Sequence, residues 1–175
     1  MARVSLIDEH AHPELAELMG KLKGGRGGRL LNLYKMLLHS PPVAETWFEH
    51  IGATRWKTEL DGITREIVII RIGYLNRVDY VIKAHVPAYA LQEEMTLEQC
   101  DALQDWQGSH LFTEAQRAVL AYTDAMTRDI QVPDALWGGV RRHFSERQAV
   151  ELTVLIGTYN MHTRVLGALQ IDPEG

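Results

Sequence analysis

The chain has 175 residues, 46% of them hydrophobic and 23% charged, with a single cysteine and a formal net charge of −5. That length fits one compact domain with a sizeable core, so residues 1–175 read as a single domain. The acidic balance leaves no basic surface for a phosphate backbone, which excludes nucleic acid as a partner, and a lone Cys100 excludes an internal disulfide, a Cys-x-x-Cys redox pair and a thiolate zinc site.

The opening segment, MARVSLIDEHAHPEL, has no apolar signal core, and no run reaches the roughly 20 apolar residues that cross a bilayer. No membrane partner and a cytoplasmic location are therefore expected. Helix-period patterning dominates the rest, and no strand pattern stands out. Helices are expected near 13–22, 29–38, 42–58, 63–75, 78–93, 97–107, 114–128, 134–143 and 146–170. Gly24-Gly-Arg-Gly-Gly28 reads as a flexible turn between the first two, since it lacks the Lys-Ser/Thr ending of a phosphate loop. Ser40-Pro41-Pro42 and Val132-Pro133 mark helix starts, because proline is tolerated in the first turn. Thr96-Leu-Glu-Gln99, Thr113-Glu-Ala-Gln116 and Ser145-Glu-Arg-Gln148 each have the spacing of a capping box, in which hydroxyl and glutamine satisfy each other's backbone donors. Pro87 lies inside a helical pattern and should kink or interrupt it.

An internal echo accompanies this order. Ile72-Gly-Tyr-Leu-Asn76 recurs as Ile156-Gly-Thr-Tyr-Asn160, and each copy follows a proline-started helix. A duplication of one half, or chance similarity of two buried helices, explains it. Gly73 and Gly157 suggest close helix crossings, since glycine costs about 1 kcal/mol against alanine inside a helix.

Several polar residues stand in apolar surroundings. Thr64-Arg-Glu-Ile-Val-Ile-Ile-Arg-Ile-Gly-Tyr-Leu-Asn76 is apolar nearly all round, so Glu66 should look into the core or a pocket. A carboxylate there must be paired, hydrogen-bonded or protonated, and could serve acid–base chemistry or merely close an ion pair. His85, in Tyr80-Val-Ile-Lys-Ala-His85, is the best candidate for proton transfer, because its ordinary pKa lies near neutrality. Lys83 on the same helix reads as a solvated side chain. Asn160 and Arg164 stand one turn apart in an apolar helix; they either tie down a neighbouring helix or bind a carboxylate through the guanidinium fork. The histidines are scattered without metal-ligand spacing, so no metal is expected.

These residues together resemble the carboxymuconolactone decarboxylase superfamily, which includes alkylhydroperoxidase D. The resemblance covers roughly residues 30–170. It rests on Leu37-Leu-His-Ser-Pro41, Arg65-Glu-Ile-Val-Ile-Ile-Arg71 followed by Tyr80 and His85, Phe112-Thr-Glu-Ala-Gln-Arg-Ala-Val-Leu-Ala-Tyr-Thr-Asp124, and Val150-Glu-Leu with Tyr159-Asn160 and Arg164. It implies an all-α, AhpD-like bundle of about eight or nine helices with internal pseudo-duplication, assembled as a homo-oligomer. In the peroxidase branch a glutamate and a histidine serve a Cys-x-x-Cys pair; Glu66 and His85 match the relay, while Val78 and Val81 occupy the two cysteine positions. Valine supplies no thiolate, so thiol peroxidase chemistry should be absent.

The resulting expectation is a cofactor-free lyase or isomerase acting on a small anionic substrate, an oxo acid or lactone. His85 would be the acid, Glu66 its partner or the base, Tyr80 a hydrogen-bond donor, and Arg71 or Arg164, with Asn160, would hold the anion. A non-catalytic oligomeric binding protein and a residual oxidoreductase using Cys100 are the competing expectations.

Overall fold

The computed structural model describes residues 2–24 and 28–174. Most of the glycine-rich turn between the first two helices lies outside the described residues. Nine α-helices, and no strand, occur among them: α1 (Ala16–Lys23), α2 (Asn32–Leu37), α3 (Pro41–Trp56), α4 (Gly62–Asn76), α5 (Asp79–His85), α6 (Leu97–Ala102), α7 (Glu114–Arg128), α8 (Asp134–Arg141) and α9 (Glu146–Leu169). No helix among the described residues is long and apolar enough to cross a membrane.

Helix α4 is the axis. Ten consecutive residues, Thr64 to Gly73, are buried, and its densest packing is with α7, α9 and α5. Asp61 caps its N-terminus, accepting from the Thr64 backbone N–H at 2.8 Å and from the Thr64 hydroxyl at 2.7 Å. All three capping boxes form, at the starts of α6, α7 and α9. The proline starts hold as well: Pro41 opens α3 and Pro133 caps α8.

Three of the expected helices change character within their span; the first, expected over 13–22, is 3₁₀ over Pro13–Leu15 before α1. The helix expected over 78–93 is α-helical only to His85; Val86–Ala90 then widen into a π-turn containing Pro87. Proline has no N–H to donate, and the chain regains a bond one residue further on, from Leu91 N–H to the Val86 carbonyl at 3.3 Å. The helix expected over 97–107 becomes 3₁₀ after Ala102, with Asp105 in a non-helical conformation.

The echo has a structural counterpart. α4 packs along α9, and the two equivalent asparagines meet, Asn76 Nδ2 donating to Asn160 Oδ1 at 3.2 Å. The two glycines differ, however. A Cβ on Gly73 would stand 3.0 Å from Ile82, so glycine there allows α5 to close on α4. Gly157 has open space where its Cβ would be and crosses nothing within the chain. It lies instead on an exposed ridge of α9 with Val150, Val154 and Met161.

Candidate active site

Glu66 is fully buried in the first turns of α4, where water cannot solvate its charge. Three side chains replace that water. His85 Nδ1 lies 2.7 Å from Oε2, Arg65 Nε donates to Oε1 at 3.2 Å, and Arg55 Nη2 stands 3.7 Å from Oε1. Arg65 is itself held by Glu93, 2.6 Å from its Nη2. The Glu93 carboxylate fits because residue 62 is glycine: a Cβ at that position would overlap it. The close approach of α5 over Gly73 brings His85 to Glu66 from the other side.

Burial pushes the Glu66 carboxyl up, but the hydrogen bond and charge of His85 and the charges of Arg55 and Arg65 outweigh it and hold it below the usual range. Burial pushes the His85 imidazole below its ordinary 6.5, more than Glu66 raises it. The pair therefore rests as a carboxylate and a neutral imidazole. The carboxylate accepts from Nδ1–H, which fixes the tautomer and leaves the Nε2 lone pair as the basic site. The sequence led to His85 as an acid; in the resting pair its Nε2 is instead the unprotonated nitrogen.

His85 borders a cavity of about 380 Å³, large enough for a small organic molecule. Tyr80, Val81, Tyr89, Tyr159 and Arg55 also line it. The π-turn after His85 carries Tyr89 to within 5.1 Å of the imidazole ring, and Tyr159 meets that ring edge-on at 5.6 Å. Burial raises the Tyr159 phenol, which keeps it protonated. The Tyr80 hydroxyl donates to Glu174 at 2.9 Å on the cavity wall. Val81 presents an apolar surface to the cavity, and Val78 lies at the foot of α5.

The anion-holding residues expected from the sequence lie elsewhere. Arg71 points away from Glu66 and is saturated: Nε and Nη2 each donate to Asp124 at 2.6 Å, and Nη1 donates to the carbonyls of Leu103 and Gln104. Asn160 and Arg164 form a tie between helices. Asn160 Nδ2 donates to Thr127 Oγ1 at 2.9 Å, and Arg164 Nη1 donates to Asn160 Oδ1 at 2.8 Å. None of the three lines the His85 cavity. Their placement follows from helix geometry, since Arg71 is about 140° round α4 from Glu66. Lys83 is exposed, and no metal-binding group of side chains occurs among the described residues.

Sequence reasoning missed Arg55, Arg65 and Glu93. A signal for Arg55 existed. It continues the buried row Trp47–Ile51 at four-residue spacing, so a charge falls on the apolar face of α3, as Glu66 does on α4. Nothing local marks Glu93, which acts only through the fold.

A helical bundle whose central helix carries a buried carboxylate, paired with an imidazole from the next helix against a small aromatic cavity, defines a class. Residues 41–125 match the model of the carboxymuconolactone decarboxylase family. That match places residues 41–125 in this family, and the described residues have the AhpD-like all-α fold. It is 29% identical over 122 residues to the uncharacterized protein YnjA of Escherichia coli (strain K12), a match covering 69% of this chain and 66% of YnjA, just under two thirds of that protein. The alkylhydroperoxidase AhpD core, peroxidase-related protein from Ralstonia eutropha JMP134 superimposes with a TM-score of 0.85 at 18% identity, over 99% of this chain and 92% of its own. The debrominase Bmp8 in complex with 2,3,4-tribromopyrrole superimposes with a TM-score of 0.79 at 17% identity, over 100% and 95%. Those two likenesses establish the fold alone.

Proposed function

We propose that the protein is a cofactor-free lyase or isomerase that moves a proton on a small oxo acid or unsaturated lactone. The observation that carries this reading is the Glu66–His85 hydrogen bond of 2.7 Å on the wall of a cavity. Nε2 takes a proton from a carbon activated by the substrate carbonyl, and the resulting imidazolium is stabilised by the Glu66 carboxylate. The electrons pass to the carbonyl oxygen as an enolate. Arg55 supplies the nearby positive charge, and the buried Tyr159 phenol remains neutral beside the dyad. The proton then returns from Nε2 to a different carbon. In a decarboxylation Nε2 instead takes the proton of the substrate's own carboxylic acid, carbon dioxide leaves from the resulting carboxylate, and the imidazolium returns that proton to the carbanion.

Two features weigh against thiol chemistry. Val78 and Val81 stand at the thiol positions, and Cys100, buried on α6, has its thiol pushed up by burial. Self-association is part of the proposal: Val150, Val154, Gly157 and Met161 give α9 an exposed apolar ridge at heptad-like spacing, suited to a second copy.

The test is carbon-bound proton exchange in D₂O, followed by NMR across a panel of small oxo acids and unsaturated lactones. Wild type should incorporate deuterium into at least one class, and His85→Gln should abolish it. Incorporation that survives His85→Gln overturns the reading.

A further inference from the structure

Arg55 is the buried arginine of the cavity wall, Arg29 being exposed, and its partners do not add up. It is only 5% exposed, yet its Nε and Nη2 have no hydrogen-bond partner. Its contact with Glu66, 3.7 Å from Nη2, is too long for a hydrogen bond. The guanidinium is held by ring faces instead, with Cζ 4.1 Å from the Tyr89 centroid and 4.4 Å from that of Trp56. Rings fix the plane of a guanidinium without using its in-plane N–H donors. Glu66 is already satisfied by Arg65 and His85, so it does not require Arg55 at shorter range. A buried guanidinium with open donors is what a site has before its ligand arrives.

The walls describe the rest of that ligand. Tyr34, Tyr80, Tyr89, Tyr159, His85 and His162 all border the cavity, and aromatic walls favour flat guests through offset or edge-on contact. Ala84 and Ala88, one turn apart on the same wall, leave the width free.

We infer that Arg55 is the anion anchor of the cavity, and that the ligand it holds is a flat monocarboxylate, a conjugated oxo acid or lactone acid about the size of a single ring. A planar carboxylate matches the guanidinium fork, and a planar body matches the ring-lined walls. The inference deepens the acid–base reading and rests on it for the site; it adds the substrate class and the residue that recognises it. Held by Arg55, such an acid would lie beside His85, which lines the same cavity.

Benzoate, benzamide and cyclohexanecarboxylate separate charge from flatness, and calorimetric titration of the full chain measures all three. Benzoate should bind at least about tenfold tighter than benzamide, because the amide forfeits the charge-assisted bonds. Cyclohexanecarboxylate should bind more weakly than benzoate by a few-fold. Arg55→Met should bring benzoate down to the level of benzamide and leave benzamide unchanged, with Arg55→Lys between. Equal affinity for benzoate and benzamide in wild type overturns the inference, as does an Arg55→Met variant that binds benzoate like wild type. Cyclohexanecarboxylate binding as tightly as benzoate overturns the flatness. If Arg55→Met does not fold, the wild-type acid–amide comparison decides alone. Failure of the proton-transfer reading shows separately, as benzoate binding without deuterium exchange on any panel member.

Discussion

Helix α4 buries three charged side chains, and two of them, Glu66 and Arg71, five residues apart, are treated in opposite ways. Arg71 has every donor group engaged: a two-pronged pair with Asp124, two backbone carbonyls, and a Trp106 indole that donates to the same carboxylate at 3.2 Å. Glu66 is as deeply buried, but one of its partners presents an unengaged Nε2 to a cavity, and another, Arg55, keeps two donors open. The first network is closed and structural. The second is incomplete at the edge of a space that a ligand can enter. Burial of charge by itself does not distinguish a strut from a site; the count of satisfied partners does.

Substitution at the closed network should have the largest effect. Arg71→Met takes the two-pronged cation from Asp124, leaving it only the exposed Arg128 at 3.6 Å, and should cost about 3–5 kcal/mol of stability by denaturant unfolding. That is a large share of the total for a domain of this size. Arg55→Met, at the open network, should cost less, about 1–2 kcal/mol, because Glu66 keeps its shorter contacts with His85 and Arg65 and only the 3.7 Å charge contact and the ring contacts are lost. Equal costs at the two positions would erase the distinction.

His85→Gln tests the open network through chemistry. It should reduce deuterium exchange by about 10²–10⁴-fold, the range for losing a positioned acid–base group, while thermal unfolding shows the fold intact.

The acid limb sharpens the comparison further. His85 must be neutral to accept a proton, and burial lowers its pKa below 6.5. Exchange should therefore be at full rate at neutral pH and fall only below the ordinary histidine range. Stability follows the same sign. The unfolded chain binds a proton at His85 before the folded chain does, so stability is lost as pH falls below 6.5. Glu66, lowered from 4.5, adds to that loss further down. A rate that begins to fall well above 6.5 would mean a raised imidazole and a different resting state. Glu66→Gln removes the nearby negative charge and should move the limb to still lower pH.

The smallest effect is expected at the thiol. Wild type and Cys100→Ser should consume peroxide at equal, near-zero rates, since Cys100 is buried with its thiol pushed up. Gly157→Arg probes the ridge instead. The chain has room for the side chain at that position, so folding should persist while light scattering reports a smaller assembly.

Much of this was legible before any coordinates. Local chemistry repeats reliably, so proline starts, capping boxes and helical periodicity placed nearly every helix. The apolar setting of Glu66 and the five-residue spacing of Tyr80 and His85 pointed to the dyad. The partners of that dyad were not legible. Arg71 and Arg164 looked like anion holders because an arginine in an apolar helix is conspicuous, but sequence does not tell which arginines find saturating partners on α7 or α9. Arg55 does its work because α3, α5 and the π-turn converge on one point, and Glu93 because Gly62 lacks a side chain. By itself the sequence determined the helices and the absence of a thiol pair, since both are set by which residues stand next to one another. Tertiary structure decided which buried charges are closed and which are open, because a hydrogen-bond deficit depends on every chain segment that packs around the charge.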